Sequence, residues 1–392
     1  MDKQLARRDP QMESSHRMDS IGSRHPALSA ATMATAAAAP FKTLARAFKS
    51  SEDIVIVDAI RTPITRAKKI CVGNVLQEGS GALSSRVAQV RAGIPYTVPL
   101  STVNRQCSSG LQAIAHVAAG IQAGHYAIGI AAGVESMTHN AMGSGGLPSG
   151  IDPKFVAADR KGAAVLMPMG ITSENVAARF GVGREEQDAF AAESHARAHR
   201  AQREGLFEEE ILPVRVRDGV RPGTTASKLA GLKPAFKKGG STTAGNASQV
   251  VSDGAAATLL MTRATAARLG LQPLGVWRSY AVAGVPPEVM GIGPAVAIPE
   301  ALSKAGLEAG DVDIFELNEA FASQATYCIK ELGLDASKVN PKEGDCSRAP
   351  AGCTGCRQMA TLLYELRRTG GRFGVVSMCI GTGMEPPRFG GV

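Results

Sequence analysis

Alternation is the strongest constraint on this chain. Short apolar, β-branched runs at 53–60, 127–132, 255–262, 274–283, 314–316 and 372–378 predict strands. Segments with helical apolar spacing lie between and around them, at 108–123, 173–180, 184–204, 295–305, 320–331 and 357–369. Strands that bury both faces and helices that bury one can only pack as layers, so the chain is an α/β protein. The stretch from about 134 to 247 breaks the rhythm; it is richer in Gly, charge and loops, and is read as an insertion between two strands. Residues 1–50 are rich in Ser, Ala, Arg and Met with few periodic apolar positions, and are read as a leader with a targeting role.

Composition excludes several classes of function. The net charge is +8 over 392 residues, and half of that excess sits in residues 1–50. With one Trp and no basic stripe interleaved with aromatics, nucleic acid is not an expected partner. No apolar run is long enough to predict a membrane span. Seven Cys, an odd number without a secretory signal, argue for a reducing compartment. Cys353-Thr-Gly-Cys356, with Cys346 upstream, has the spacing of half a zinc site, but no His lies near and a second CxxC is missing, so no metal is expected.

Two cysteines stand at strand-to-turn junctions. Cys107 follows the extended segment 97–103 and precedes the helix beginning near Leu111. At a helix N-terminus, free N–H groups and the dipole favour a thiolate, the reactive form, and supply donors for an oxyanion. Cys379 lies where the strand 375–378 runs into Ile380-Gly-Thr-Gly383. Spacing alone leaves a small core cysteine as an equal reading there.

The blocks around these cysteines are specific. Asn104-Arg-Gln-Cys-Ser-Ser-Gly110, Gly133-Val-Glu-Ser-Met137, Asn318-Glu-Ala-Phe-Ala322 and Cys379-Ile-Gly-Thr-Gly383 resemble the signature blocks of the thiolase family. Leu232-Lys-Pro-Ala-Phe-Lys-Lys238, Thr242-Thr-Ala-Gly-Asn-Ala-Ser248 and Ser252-Asp-Gly254 match as well, so the resemblance spans about 53–384. Pro168-Met-Gly-Ile-Thr-Ser-Glu-Asn175 fits the degradative, peroxisomal type of 3-ketoacyl-CoA thiolase.

The resemblance implies a fold of two similar α/β halves in an αβαβα arrangement, here 51–265 and 266–392, with a loop domain at about 134–247. It implies cleavage of 3-ketoacyl-CoA by CoA to acetyl-CoA and a shortened acyl-CoA, in fatty acid β-oxidation. It also implies a homodimer, no prosthetic group, and CoA and acyl-CoA as substrates. Cys107 would carry the acyl group, and Cys379 would act as acid and then base. The N–H groups of Cys107 and Gly381 would form one oxyanion hole, and Asn318 would hold a water for the other. Ser248, Phe236, Met169, Ala320 and Phe321 would line the substrate path. The alternative is an impaired homologue that binds acyl-CoA or a partner subunit.

The chain departs from that pattern at identifiable places. Ala349 occupies the position of a family His that activates the nucleophile and donates to an oxyanion. Losing such a base costs about 10²–10⁴-fold, so the chain as written is expected to be nearly inactive. Codons for Cys346-Ser-Arg-Ala-Pro-Ala-Gly352, moved by one nucleotide, can read Ala-Leu-Gly-His-Pro-Leu-Gly, so Ala349 is read as frame-shifted text. Glu385-Pro-Pro-Arg388 can likewise read Gly-Ala-Ala-Ala, and two prolines argue against a central strand there. Between the first strand and Cys71 the chain is barely long enough for a parallel crossover. A peroxisomal address is expected from 17–26, which resembles the N-terminal signal of such enzymes with an extra residue; the acid-poor stretch 24–50 leaves a mitochondrial leader as the alternative.

Overall fold

The strand β1 (Ile54–Asp58) is the Ile-Val-Ile-Val run predicted from sequence, and those four side chains are buried. The computed structural model describes residues 50–58, 67–141, 152–213, 220–248, 252–342 and 350–384. Strand β2 (Ile70–Gly73) pairs in parallel with β3 (Leu100–Val103) and with β4 (Ile128–Ser136). β5 (Asp253–Thr262) runs antiparallel to β4 in register from Ile128↔Met261 to Ser136↔Asp253. β5 also pairs with β1, and β1 with the two-residue β6 (Gly275–Val276), giving the order β3-β2-β4-β5-β1-β6. A second sheet pairs β7 (Ile314–Leu317) in parallel with β8 (Gly374–Ser377).

The helices are α1 (Ala82–Arg91), α2 (Ser109–Gln122), α3 (Pro153–Ala158), α4 (Arg160–Val165), α5 (Met169–Phe180), α6 (Arg184–Arg203), α7 (Ala226–Ala230), α8 (Arg263–Arg268), α9 (Gly293–Ala305), α10 (Ala322–Glu331) and α11 (Thr354–Thr369). α2 and α11 form the middle layer. Ile114, Val117 and Ile121 of α2 share a buried core with Ile54, Ile56 and Leu260 of the first sheet and Met359 and Leu363 of α11. Each such aliphatic side chain stabilises the fold by about 1.5–3 kcal/mol. The outer face of the first sheet packs on Ala266 of α8, and the outer face of the second on Ile298 and Leu302 of α9 and Ala325 and Cys328 of α10. The result is the expected layered αβαβα arrangement.

The start of α2 is fixed by bare backbone. A Cβ on Gly110 would lie 3.0 Å from the Cys356 nitrogen, and one on Gly355 would lie 2.3 Å from the Leu111 nitrogen. The first turns of α2 and α11 therefore touch main chain to main chain, which only glycine permits. This close approach sets the position of the residues just before α2.

Two stretches depart from the usual economy of such folds. β1 and β2 are parallel, with β5 and β4 between them, yet only residues 59–69 connect them. Residues 59–66 of that connection lie outside the described residues. The strand expected at 274–283 shrinks to Gly275–Val276. The following residues, 277–283, join no strand among the described residues. Between them and β8 lies an apolar slot of about 460 Å³, lined by Ala281, Val282, Ile298, Leu362, Val375 and Met378 among others. Past Trp277, whose N–H donates to the Ile54 carbonyl at 2.9 Å, residues 278–283 pair with no described strand across this slot. Between β4 and β5 the described residues form helices and loops without a strand.

Candidate active site

β3 ends at Val103 and α2 begins at Ser109, so Cys107 sits in a tight five-residue turn. Side chains hold that turn. The Ser109 hydroxyl donates to the Gln106 carbonyl at 2.6 Å and accepts from the Arg105 N–H at 2.9 Å. The Asn104 side-chain oxygen accepts from the Gln106 N–H at 3.0 Å. Gln106 is forced to φ 48°, a left-handed conformation that a non-glycine residue adopts at a cost. Cys107 is left 8% exposed.

Cys379 enters from the other half of the molecule. It follows β8, is fully buried, and leads into a turn with Thr382 at φ 73° and Gly383 at φ 60°. The turn sets Gly381 against the Cys107 turn, where a Cβ on Gly381 would lie 3.5 Å from the Gln106 side chain. Both thiols are shifted upward. For Cys107 burial is the largest cause, opposed by N–H groups of Gly381 and of Cys107 itself, with the charge of Glu135 adding to the rise. For Cys379 burial again comes first, followed by Cys107 and Cys328. The expectation that a helix N-terminus leaves Cys107 with a lowered thiol is therefore corrected: loss of water outweighs the donors.

Asn318 lies just past β7. It is 1% exposed, and its N–H donates to the Ser377 carbonyl at 2.9 Å, which ties it to the approach to Cys379. Its side-chain oxygen has no hydrogen-bond partner among the described residues. The neighbouring Glu319 accepts from Ser194 at 2.7 Å and from the Asn340 amide at 2.6 Å, which pins this turn to α6 and to the loop after α10.

Beside Cys379 the wall is apolar. Ala247, Met290, Ala320, Phe321 and Met169 cluster with it. The Ser248 N–H donates to the Ala320 carbonyl at 2.9 Å, and the Phe236 ring meets Phe321 edge to face at 6.4 Å. Phe236 is 40% exposed, so this line of side chains runs from buried thiol to surface.

The fold thus brings together Cys107, Cys379, Gly381, Asn318, Met169, Ala320, Phe321, Ser248 and Phe236. Ala349 lies outside the described residues, as do the leader and residues 385–392. Sequence reasoning missed Met290 and Ala247, which carry no reactive group. Ala247 sits inside a quoted block, whereas Met290 had no signal beyond being apolar after Pro286-Pro287.

Among the described residues no three His, Cys, Asp or Glu side chains gather where one ion could be held. Cys356 donates its thiol to the Gly110 carbonyl at 3.3 Å, and burial pushes the Cys353 thiol up to about 12. Both lie buried at the head of α11.

Comparisons with known proteins agree with this geometry. The family described as "Thiolase, N-terminal domain" matches residues 57–264, and that described as "Thiolase, C-terminal domain" matches residues 271–386. The chain is 54% identical to 3-ketoacyl-CoA thiolase B, peroxisomal, of Mus musculus over 385 residues, covering 86% of this chain and 90% of the relative. The crystal structure of the dimeric peroxisomal thiolase of Saccharomyces cerevisiae superposes with a TM-score of 0.80 at 44% identity, covering 86% of this chain and 96% of that one. Human mitochondrial 3-ketoacyl-CoA thiolase in complex with CoA superposes with a TM-score of 0.74 at 34% identity, covering 85% and 96%.

Proposed function

This chain belongs to the thiolase family, and we propose that it cleaves 3-ketoacyl-CoA with CoA to acetyl-CoA and an acyl-CoA shortened by two carbons. It works in the peroxisome, the compartment named for the relatives it resembles, in fatty acid β-oxidation. The observation that carries the reading is the meeting of two buried cysteines from opposite halves, the Cys107 turn packed at Gln106 against Gly381 of the turn after Cys379.

In this reading the Cys107 thiolate attacks the 3-keto carbon, and the resulting oxyanion accepts from the N–H groups of Cys107 and Gly381. The C2–C3 bond breaks, its electron pair stays on C2, and Cys379 gives that carbon a proton. Acetyl-CoA leaves. The Cys379 thiolate then takes the proton of an incoming CoA thiol, and the CoA sulfur displaces the acyl group from Cys107. Both cysteines end as they began. The buried, unpartnered side-chain oxygen of Asn318 supports its role as the acceptor for a water at the thioester oxygen. The apolar line from Met169 and Phe321 to Phe236 suits the acyl and pantetheine arms. Burial raises both thiols. This fits Cys379 as the thiol that gives its proton to carbon and recovers it from CoA, while Cys107 must first release its proton to water, the step a His at position 349 would assist.

Catalysis on this scheme needs CoA and acyl-CoA as substrates and no prosthetic group, and the protein assembles as a homodimer, as does the yeast relative. Apart from Ala349 at the position of the family His, no observation favours an impaired homologue. The test is incubation with a 3-ketoacyl-CoA and CoA, with products identified by mass spectrometry. Acetyl-CoA should accumulate, and an acyl adduct should be trapped on Cys107 when CoA is left out. Absence of acetyl-CoA, or an adduct on another residue, overturns the assignment.

A further inference from the structure

Glu135 is a carboxylate inside β4, 1% exposed, and the scheme above gives it no task. One of its oxygens accepts from the Asn74 amide at 3.3 Å and the Leu76 N–H at 3.4 Å. The other accepts from the Val75 N–H at 3.0 Å and the Gly352 N–H at 3.1 Å. These donors come from two pieces of chain far apart in sequence: the loop after β2 and the approach to α11.

Each piece bears on the Cys107 turn. The Asn74 N–H donates to the Val103 carbonyl at 3.2 Å, and the Asn104 amide donates to the Val75 carbonyl at 3.1 Å. On the other side, the Gly352 carbonyl packs against Gly110 at the start of α2, 3.0 Å from where a Cβ would stand. There is no slack at the junction. A Cβ on Gly352 would lie 2.8 Å from the Val134 carbonyl oxygen, 2.9 Å from the Asn74 Cα and 3.0 Å from a Glu135 oxygen.

We propose that Glu135 is a positioning residue for Cys107, a carboxylate clamp that joins the loop 74–76 to the approach 350–352 and so fixes the nucleophile's turn against the Gly381 N–H. Burial pushes the Glu135 carboxyl above its ordinary range, and the N–H groups of Val75, Leu76 and Gly352 oppose that rise. Four donors aimed at two oxygens leave no acceptor for a carboxyl proton, so the clamp is read as ionised. The same negative charge acts on Cys107 and on Cys353. The other titratable or charged groups facing this pair are Cys379 beyond β8 and Arg357 on α11, whose charge acts on Cys353. The inference rests on reading Cys107 as the nucleophile.

Three variants test it: Glu135→Gln, Glu135→Asp and Gly352→Ala. The measurements are the pH dependence of iodoacetamide alkylation at Cys107, and kcat and KM for thiolysis. Glu135→Gln removes the charge and presents an NH2 group to N–H donors. Its alkylation curve should move to lower pH while kcat falls about 10–100-fold, the usual result of misplacing a reacting group. Glu135→Asp should leave the curve in place. Gly352→Ala crowds the clamp without touching its charge, so kcat should fall and the curve should stay. A folded Glu135→Gln protein with kcat within about twofold of the parent overturns the proposal. Should Glu135→Gln not fold, parental kcat in Gly352→Ala overturns it. If the parent shows no thiolysis, the functional reading fails instead. The alkylation curve still judges Glu135 in that case, and an unmoved curve in Glu135→Gln overturns the clamp.

Discussion

Replacing Lys342 by Met should destabilise the protein by about 3–5 kcal/mol, the usual cost of stripping one partner from a buried ion pair. Lys342 has a side chain 2% exposed, with Glu210 at 2.9 Å (3% exposed) and Glu365 at 3.9 Å (1% exposed). Its ammonium also stands 5.4 Å from the centre of the Phe207 ring. At an effective dielectric near 20, a pair at 2.9 Å attracts by about 6 kcal/mol before desolvation is subtracted. Methionine keeps the length of the stem but leaves two buried carboxylates. Glu210 retains the Thr361 hydroxyl at 3.0 Å and Glu365 retains Arg368 at 2.7 Å, which limits the loss. Urea unfolding should be followed both by Trp277 fluorescence and by far-UV circular dichroism, with coincident transitions required before a free energy is quoted. With a slope of about 3 kcal/mol per molar, the midpoint should fall by about 1–1.7 M. The double variant Lys342→Met/Glu210→Gln should recover at least about half of the loss, because one stranded charge is gone. A single variant within about 1 kcal/mol of the parent, or a double variant no more stable than the single, refutes the reasoning.

Iodoacetamide should label Cys107 before Cys328, which is fully buried, donates to the Gly291 carbonyl and has its thiol pushed up to about 12. Because the Cys107 thiol is raised above its ordinary 9.0, its labelling rate should still climb past pH 9; a plateau below pH 8 contradicts the structure. All six described cysteines are buried with raised thiols. Below the unfolded-state value both states hold these protons. Above it the unfolded chain releases them first, so stability should decline with rising pH from about pH 8.5 upward. An unchanged melting temperature between pH 8 and pH 10 argues against this. Ala349→His should raise thiolysis by about 100-fold or more; a change under about threefold removes the case for a misread frame, which sequencing across codons 340–392 settles directly.

Most of the site was legible because its chemistry lives in short blocks whose order along the chain is the order in which strands end. Cys107, Asn318 and Cys379 each follow a strand, and a layered α/β fold gathers such ends on one side. The sign of the Cys107 shift was not legible. It depends on burial by a turn from the other half of the molecule, which no local window contains. Glu135 was printed inside a quoted block yet passed over, since its four donors come from residues 74–76 and 352. The strand expected at 274–283 failed for a related reason: apolar alternation states what a segment can pair with, and the partner was not beside it. α1 escaped notice because its mixture of Ser, Arg, Gln and Val has little apolar face, and Leu83 at 80% exposed confirms how little it buries.

The slot between β8 and residues 277–283 bears on how the protein keeps company in solution. Val375 and Met378 line it, and β8 pairs only with β7 among the described strands, so one rim carries backbone amides and carbonyls in strand geometry. Such a rim accepts any extended apolar segment of the right register, whichever chain supplies it. A charged residue placed at the mouth of this groove is therefore the natural way to keep such a segment out.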